Sequence, residues 1–255
     1  MKFINIISLE LDLNSLKESF NSRKPFRYLV LDNFFHEDSA EEVIAAYPGT
    51  ETGQWDGTTY VDQKNKFQLR SFEKNSLLEQ VFAELNGTEF ICWLQKLTGI
   101  QDMHSDDELF GGGLHQSTRG AFLNVHVDYN IHPRTKLHRR LNVLVYMNKN
   151  WKEEYEGHLE LWDMQRNRLL ERVAPTFNRC VIFETNEVSY HGHPKPLNTP
   201  VHVSRKSLAT YYYTPERPED EIAAEHNTKF INTEGLPGQW KRLKSGIKAL
   251  VERKL

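Results

Sequence analysis

The stretch FLNVHVDYNIH, Phe122 to His132, decides how the rest of the chain is read. Phe122, Leu123, Val125 and Val127 favour a half-buried strand, yet His126 and Asp128 sit two positions apart within it. Side chains along a strand alternate between faces, so this imidazole and carboxylate point to one side of a sheet. Two such donors side by side make half of a metal site. The blander alternative is a buried histidine hydrogen-bonded to a carboxylate.

Downstream of Gly111-Gly112-Gly113 the runs AFLNVHVD, RLNVLVYMN, GHLELWD, RLLERV, NRCVIFET and KSLATYYYT read as short strands separated by turn signals. So many short strands without long helices between them point to a β-sandwich or barrel. Upstream, RYLVLDNFF reads as a strand and AEEVIAAYP as a helix stopped by Pro48. Leu77, Leu78, Val81, Phe82 and Leu85 recur at helical spacing, and TEFICWLQKLTG follows as a second helix with Thr88 as N-cap and Gly99 as stop. The expected fold is mainly β within an α+β chain: a double-stranded β-helix (jelly-roll, cupin-like) core with N-terminal supporting helices. It forms one domain over residues 1–255, with support at 1–104, the core at 105–215 and a charged, partly helical extension at 216–255.

Composition narrows the function classes. With 38% apolar and 26% charged residues the chain has the balance of a soluble protein, and a net charge of -3 gives no electrostatic reason to expect nucleic acid. Cys92 and Cys180 are too few for a disulfide framework; both are expected as buried small apolar residues in a reducing, cytoplasmic setting. The start, MKFINIISLELDLN, is broken by Glu10 and Asp12 and does not read as a signal peptide. No apolar stretch approaches the roughly 20 residues that span a bilayer, so no membrane partner is expected.

A third metal ligand has to come from a distant strand, and SYHGHP offers His191 or His193. Two imidazoles and one carboxylate on one face leave coordination positions open, the arrangement of non-haem Fe(II) oxygenases. The order of the pieces is more specific than HxD alone: HVD, then RRLNVLVYMNKNW, EGHLELWD, APTFNRCVIFETNEVSYHGHP and SRKSLATYYY. This run, about Gly111 to Thr214, resembles the catalytic domain of the 2-oxoglutarate- and Fe(II)-dependent dioxygenases, in the prolyl-4-hydroxylase-like branch. YMNKNW before GHLELW is similar to a strand pair of the hypoxia-sensing prolyl hydroxylases.

The resemblance implies Fe(II) held by His126, Asp128 and His191, with 2-oxoglutarate and O2 as co-reactants, ascorbate as an optional addition, and succinate and CO2 released. It selects His191 over His193, which is expected at the rim. Arg205 would grip the far carboxylate of 2-oxoglutarate in a two-pronged hydrogen bond that a lysine does not reproduce. Tyr146 matches the family tyrosine that bonds the same carboxylate, and Ser207 shares the phase of Arg205, whereas Lys206 is out of phase. Leu144 and Leu159 are expected against the cosubstrate chain, and Asn124 and Asn142 as inward polar contacts to cosubstrate or substrate. An acid at position 128 argues for hydroxylation over halogenation.

Two departures from the family stand out. Its usual glycine pair reads Glu156-Gly157, and the segment YNIHPRTKLHRR is longer and more basic. Arg134, Lys136, Arg139 and Arg140 either meet an anionic substrate or are solvated loop charges. The substrate is a peptidyl-proline, an amino acid or another small metabolite, with Trp55, Tyr60 and the 129–140 loop as hints of a mouth. The rival readings are a metal-dependent cupin-like hydrolase or isomerase, and a non-catalytic β-sandwich binding module.

Overall fold

The computed structural model describes residues 1–52, 55–60 and 62–231. The helical tail expected within 232–255 lies outside the described residues. Short helices α1 (Ile6–Leu11) and α2 (Leu13–Ser22) lead into β1 (Tyr28–Leu31) and α3 (Glu37–Ala45). A hairpin of β2 (Asp56–Tyr60) and β3 (Gln63–Leu69) precedes α4 (Leu77–Leu85) and α5 (Thr88–Thr98). Then come β4 (Gly113–Val127), β5 (His138–Tyr146), β6 (Leu159–Asp163), β7 (Arg168–Val173), β8 (Arg179–Glu184), β9 (Tyr190–His193), β10 (Arg205–Thr214) and a two-residue β11 (Lys229–Phe230).

All strand pairings are antiparallel, in the order β1-β8-β5-β10-β4-β9-β6-β7, with β3 and β11 also on β4 and β2 on β3. The long β4 joins the two halves: its first part pairs with β10 and β3, its last with β9 and β11. The result is a mostly antiparallel, nearly closed jelly-roll barrel, as the strand-rich second half predicts.

Alternation assigns the two faces of β5. Leu141, Val143 and Val145 join the core under the helices, with Leu78, Val81, Phe82, Phe90, Trp93 and Leu94. Their neighbours Asn142, Leu144 and Tyr146 turn into the barrel. Strand β10 divides likewise, with Leu208 and Tyr212 outward to the helices and Arg205, Ser207 and Tyr211 inward. Each strand is therefore buried on both sides, which fixes its register, because a one-residue slip would exchange the faces.

Details differ from the sequence reading. The α5 N-cap is Gly87 and Thr88 opens the helix, while Gly99 ends it in the left-handed conformation (φ 77°). Cys180 is buried, but Cys92 is exposed, because the core face of α5 is Phe90, Trp93, Leu94 and Leu97. Trp55 is not at a mouth: it stacks on Tyr47 and its indole donates to the Gly49 carbonyl at 2.8 Å. The Tyr60 side chain lies outside the description.

Residues after β10 return over the barrel. Arg217 Nη2 donates to the Arg139 carbonyl at 2.7 Å, Asn130 Nδ2 donates to the Ala224 carbonyl at 2.9 Å, and the His226 amide donates to Asn130 Oδ1 at 2.9 Å. This strap ends at β11, where Phe230 pairs with His126 in register and its ring lies 5.1 Å from the imidazole.

Candidate metal and anion site

The distant ligands meet. His126, near the end of β4, and Asp128, just beyond it, face His191 of β9, and one donor atom from each lies within 4.8 Å of the others. His126 Nε2 is 3.6 Å from Asp128 Oδ1, and His191 Nε2 is 3.5 Å from Asp128 Oδ2. The Nδ1 of each histidine is 2.8–2.9 Å from a backbone carbonyl, of Asn124 for His126 and of Ser189 for His191. Those bonds place the ring proton on Nδ1 and leave the Nε2 lone pairs aimed at the common point. Two neutral imidazoles and a carboxylate, with other positions open, suit a ferrous ion.

Electrostatics favour the neutral form of His191 and the ionised form of Asp128. Burial pushes the His191 imidazole down to about 4, and His126 adds to this while Asp128 opposes it. Burial alone would raise the Asp128 carboxyl, but Arg139, His191 and His126 together hold it well below the usual carboxylate range. Arg139 Nη2 lies 3.0 Å from Asp128 Oδ2, and Asn142 Nδ2 donates to the same oxygen at 2.8 Å. Arg139 Nε and Nη2 also donate to Asn142 Oδ1 at 3.0 and 2.8 Å, and the guanidinium sits over Tyr211, 3.6 Å from the ring centre.

This corrects two expectations. Arg139 and Arg140 are buried on β5, not solvated loop charges, and Arg139 serves Asp128. Asn142 faces the pocket as expected, but its amide is committed to Asp128 and Arg139. The other two basic residues are surface charges, Arg134 paired with Glu108 and Lys136 with Glu225.

Beside the triad the pocket is lined by Leu144, Tyr146, Leu159, His193, Arg205 and Ser207, among others. Arg205, 7% exposed, donates from Nε to the Gly157 carbonyl at 2.7 Å and from Nη2 to the Tyr146 hydroxyl at 3.2 Å. No carboxylate among the described residues pairs with it, so a buried guanidinium keeps donors free for a ligand. The Tyr146 hydroxyl accepts from Arg205, which leaves its own proton to donate. Burial raises this phenol, against the pull of Arg205, so it stays protonated.

Asn124 is not in the pocket; its amide donates to Asp62 Oδ1 at 3.0 Å. The reason is an irregularity in the β4–β9 pairing between Leu123 and His126, which shifts the alternation so that Leu123 faces inward instead. His193 lines the pocket wall opposite Leu123. The Glu156-Gly157 turn places both residues at positive φ, 56° and 73°. A Cβ on Gly157 would come within 2.3 Å of Leu197 and 3.1 Å of the Arg205 side chain, so glycine is needed where Arg205 bonds the backbone.

The sequence reading missed Lys66 of β3, which lines the same pocket. Burial pushes its ammonium down to about 8; Asp128 opposes this, and Arg205 and Arg139 add to it. His115 and Ser117 of β4 complete that wall.

Residues 112–213 match the family model described as the 2OG-Fe(II) oxygenase superfamily. Among curated proteins it is similar to prolyl 3-hydroxylase OGFOD1 of Mus musculus, 24% identical over 197 residues. That match covers 75% of this chain and 33% of the relative, so the chain spans about a third of its length. Among solved structures, a Trichoplax adhaerens prolyl hydroxylase in complex with a hypoxia inducible factor peptide fragment superposes with a TM-score of 0.58 at 15% identity, covering 81% of this chain and 92% of that one. A Pseudomonas putida prolyl-4-hydroxylase gives 0.54 at 16% identity, with 78% and 98% coverage. HygX from Streptomyces hygroscopicus, solved with nickel and 2-oxoglutarate, gives 0.52 at 15% identity, with 84% and 98% coverage. At these identities the structural likeness establishes the fold.

Proposed function

We propose that the protein is an Fe(II)- and 2-oxoglutarate-dependent dioxygenase that hydroxylates an unactivated C–H bond of a peptidyl-proline, an amino acid or another small metabolite. One observation carries this reading: the His126, Asp128 and His191 donors share a buried pocket with a guanidinium, Arg205, that has no acid partner among the described residues. A hydrolase or isomerase on the same barrel would need the triad but not the anion clamp.

A ferrous ion there would supply the dioxygen chemistry that couples decarboxylation of 2-oxoglutarate to hydroxylation. The chain's own residues do the rest. His126, Asp128 and His191 hold the ion, with Asn142 and Arg139 fixing the Asp128 carboxylate in its ionised form. Arg205 and Tyr146 orient the far carboxylate of 2-oxoglutarate, and Leu144 and Leu159 exclude water along its chain. Ser207 adds a hydroxyl on the Arg205 strand.

The curated relative and the hydroxylase structures favour hydroxylation, and among these structures one holds a peptide fragment and a HygX structure holds hygromycin B. The same reading expects ascorbate to assist and a reducing, cytoplasmic setting, in keeping with two free cysteines. No helix among the described residues is long and apolar enough to cross a membrane.

The test is anaerobic addition of Fe(II) and 2-oxoglutarate to the purified protein. A visible charge-transfer band should appear with both and with neither alone, and Arg205→Ala should weaken 2-oxoglutarate binding. No band at saturating metal and cosubstrate would refute the proposal.

A further inference from the structure

The pocket contains one cation more than the proposed function uses. Arg139 is neutralised by Asp128, and Arg205 faces the far carboxylate of 2-oxoglutarate. With a ferrous ion and 2-oxoglutarate in place, the ion, Arg139, Arg205 and a charged Lys66 bring about five positive charges against about three negative ones from Asp128 and the cosubstrate. Lys66 remains: Asp128 attracts it from across the pocket, but no described residue makes a direct hydrogen bond or ion pair with it. Lys66 is half-buried, and drawing an ammonium partly out of water without a partner is costly unless a ligand supplies the missing charge.

Strand register specifies where that ligand would sit. Lys66 of β3 lies directly opposite Ser117 of β4, and Ser117 lies directly opposite Arg205 of β10. The three form one row across the sheet, all lining the pocket, with the two cations on either side of a buried serine. Adjacent strands are spaced about 4.8 Å apart, so the Lys66 and Arg205 backbones are roughly two spacings apart, on either side of Ser117. His193, 5% exposed, also lines the pocket, and its Nδ1 is buried without a hydrogen-bond partner.

We infer that Lys66, with Ser117 beside it and His193 in the same pocket wall, forms a second carboxylate-binding subsite of the pocket, separate from the Arg205–Tyr146 clamp. The carboxylate comes from the substrate or from the metal-proximal end of 2-oxoglutarate. The charge excess left after the cosubstrate is counted favours the substrate, and so a substrate bearing an acid group. The inference rests on the proposed function for the place of 2-oxoglutarate, but the chemistry of Lys66 is testable without turnover.

The full chain is reductively 13C-methylated at its lysines, and the Lys66 signal is assigned by its loss in Lys66→Gln. Zn(II) serves as a diamagnetic stand-in for the ferrous ion, and 2-oxoglutarate and then acetate are titrated. A Lys66 signal that acetate moves saturably with 2-oxoglutarate already bound supports a substrate carboxylate. A signal moved by 2-oxoglutarate alone, with Lys66→Gln weakening its binding about tenfold or more, assigns the subsite to the cosubstrate. Lys66→Arg, which keeps the charge, should retain acetate or 2-oxoglutarate affinity within about threefold and so separates a charge effect from misfolding. A Lys66 signal that neither carboxylate moves overturns the inference, even if the Fe(II)–2-oxoglutarate band forms normally. Loss of that band with an intact acetate response would instead overturn the proposed function.

Discussion

Replacing Arg139 with methionine should destabilise the metal-free protein by an amount that depends on pH and that a metal ion restores. The variant keeps an apolar stem between Tyr129 and Tyr211 but takes the guanidinium from Asp128 Oδ2, 3.0 Å away. Removing one partner of a buried ion pair costs about 3–5 kcal/mol. In a chain of this size each kcal/mol moves the midpoint roughly 2–4 °C, so the melting temperature should fall by about 6–20 °C at neutral pH.

In the wild type the Asp128 carboxyl is held well below its unfolded value, so its contribution is present above an unfolded pKa of about 3.9 and is lost only as pH falls through the lower folded value. Without Arg139, burial dominates and raises the group, and the sign reverses: stability is lost as pH rises from about 4 toward neutrality. The gap between wild type and variant should therefore be narrow near pH 4.5 and wide near pH 7.5, by roughly the cost of the buried unpaired charge. Calorimetric melts at the two pH values, with and without Mn(II) as an air-stable divalent ion, measure it. The ion should raise the variant's midpoint more than the wild type's, because it replaces the missing charge. An equal gap at both pH values, with equal metal shifts, would mean that Arg139 acts through ring packing alone.

Other outcomes follow from the same geometry. His191→Ala should abolish divalent-metal stabilisation in a thermal melt, whereas His193→Ala should leave it in place; equal loss in both would reverse their assignment. Tyr146→Phe should weaken 2-oxoglutarate binding about tenfold, the worth of one hydrogen bond to a charged group, as read by titration of the visible band. Arg205→Lys should not restore what Arg205→Ala loses, because one ammonium does not reproduce the bonds to Gly157 and Tyr146 together with a carboxylate. Glu156→Gly should raise the melting temperature by up to about 8 °C: relief at φ 56° is worth about 1–3 kcal/mol, and the lost pairs with Arg172 and Lys195 together offset about 1 kcal/mol. A lower midpoint would show that the pairs outweigh the strain.

The legible parts of the site were those carried by regular alternation. Strands β5 and β10 are buried on both faces against chemically different surroundings, so once the family resemblance marked Tyr146 and Arg205, phase carried Leu144 and Ser207 to the same side. The same argument failed at Asn124, because the pairing irregularity between Leu123 and His126 leaves no trace in the side-chain pattern. Arg139 was misread because a basic run beside Pro133 looks like a loop; nothing local signals that Asp128 lies within reach. Lys66 was missed for a similar reason. In QKNKFQL, Lys64 is exposed and Lys66 faces the pocket, and only the β3–β4 register distinguishes them. The strap after β10 and its closing pair with β4 depend on contacts between residues far apart in sequence, which periodicity does not encode.

That closing pair bears on how the site comes into being. His126 emerges from the ribosome well before Phe230, whose ring later lies against it, and His191 follows between the two. During synthesis the imidazole on β4 is therefore exposed, first without its partner histidine and then without its aromatic cover. The aromatic cover over His126 is therefore in place only once residue 230 has been made and the strap has folded back.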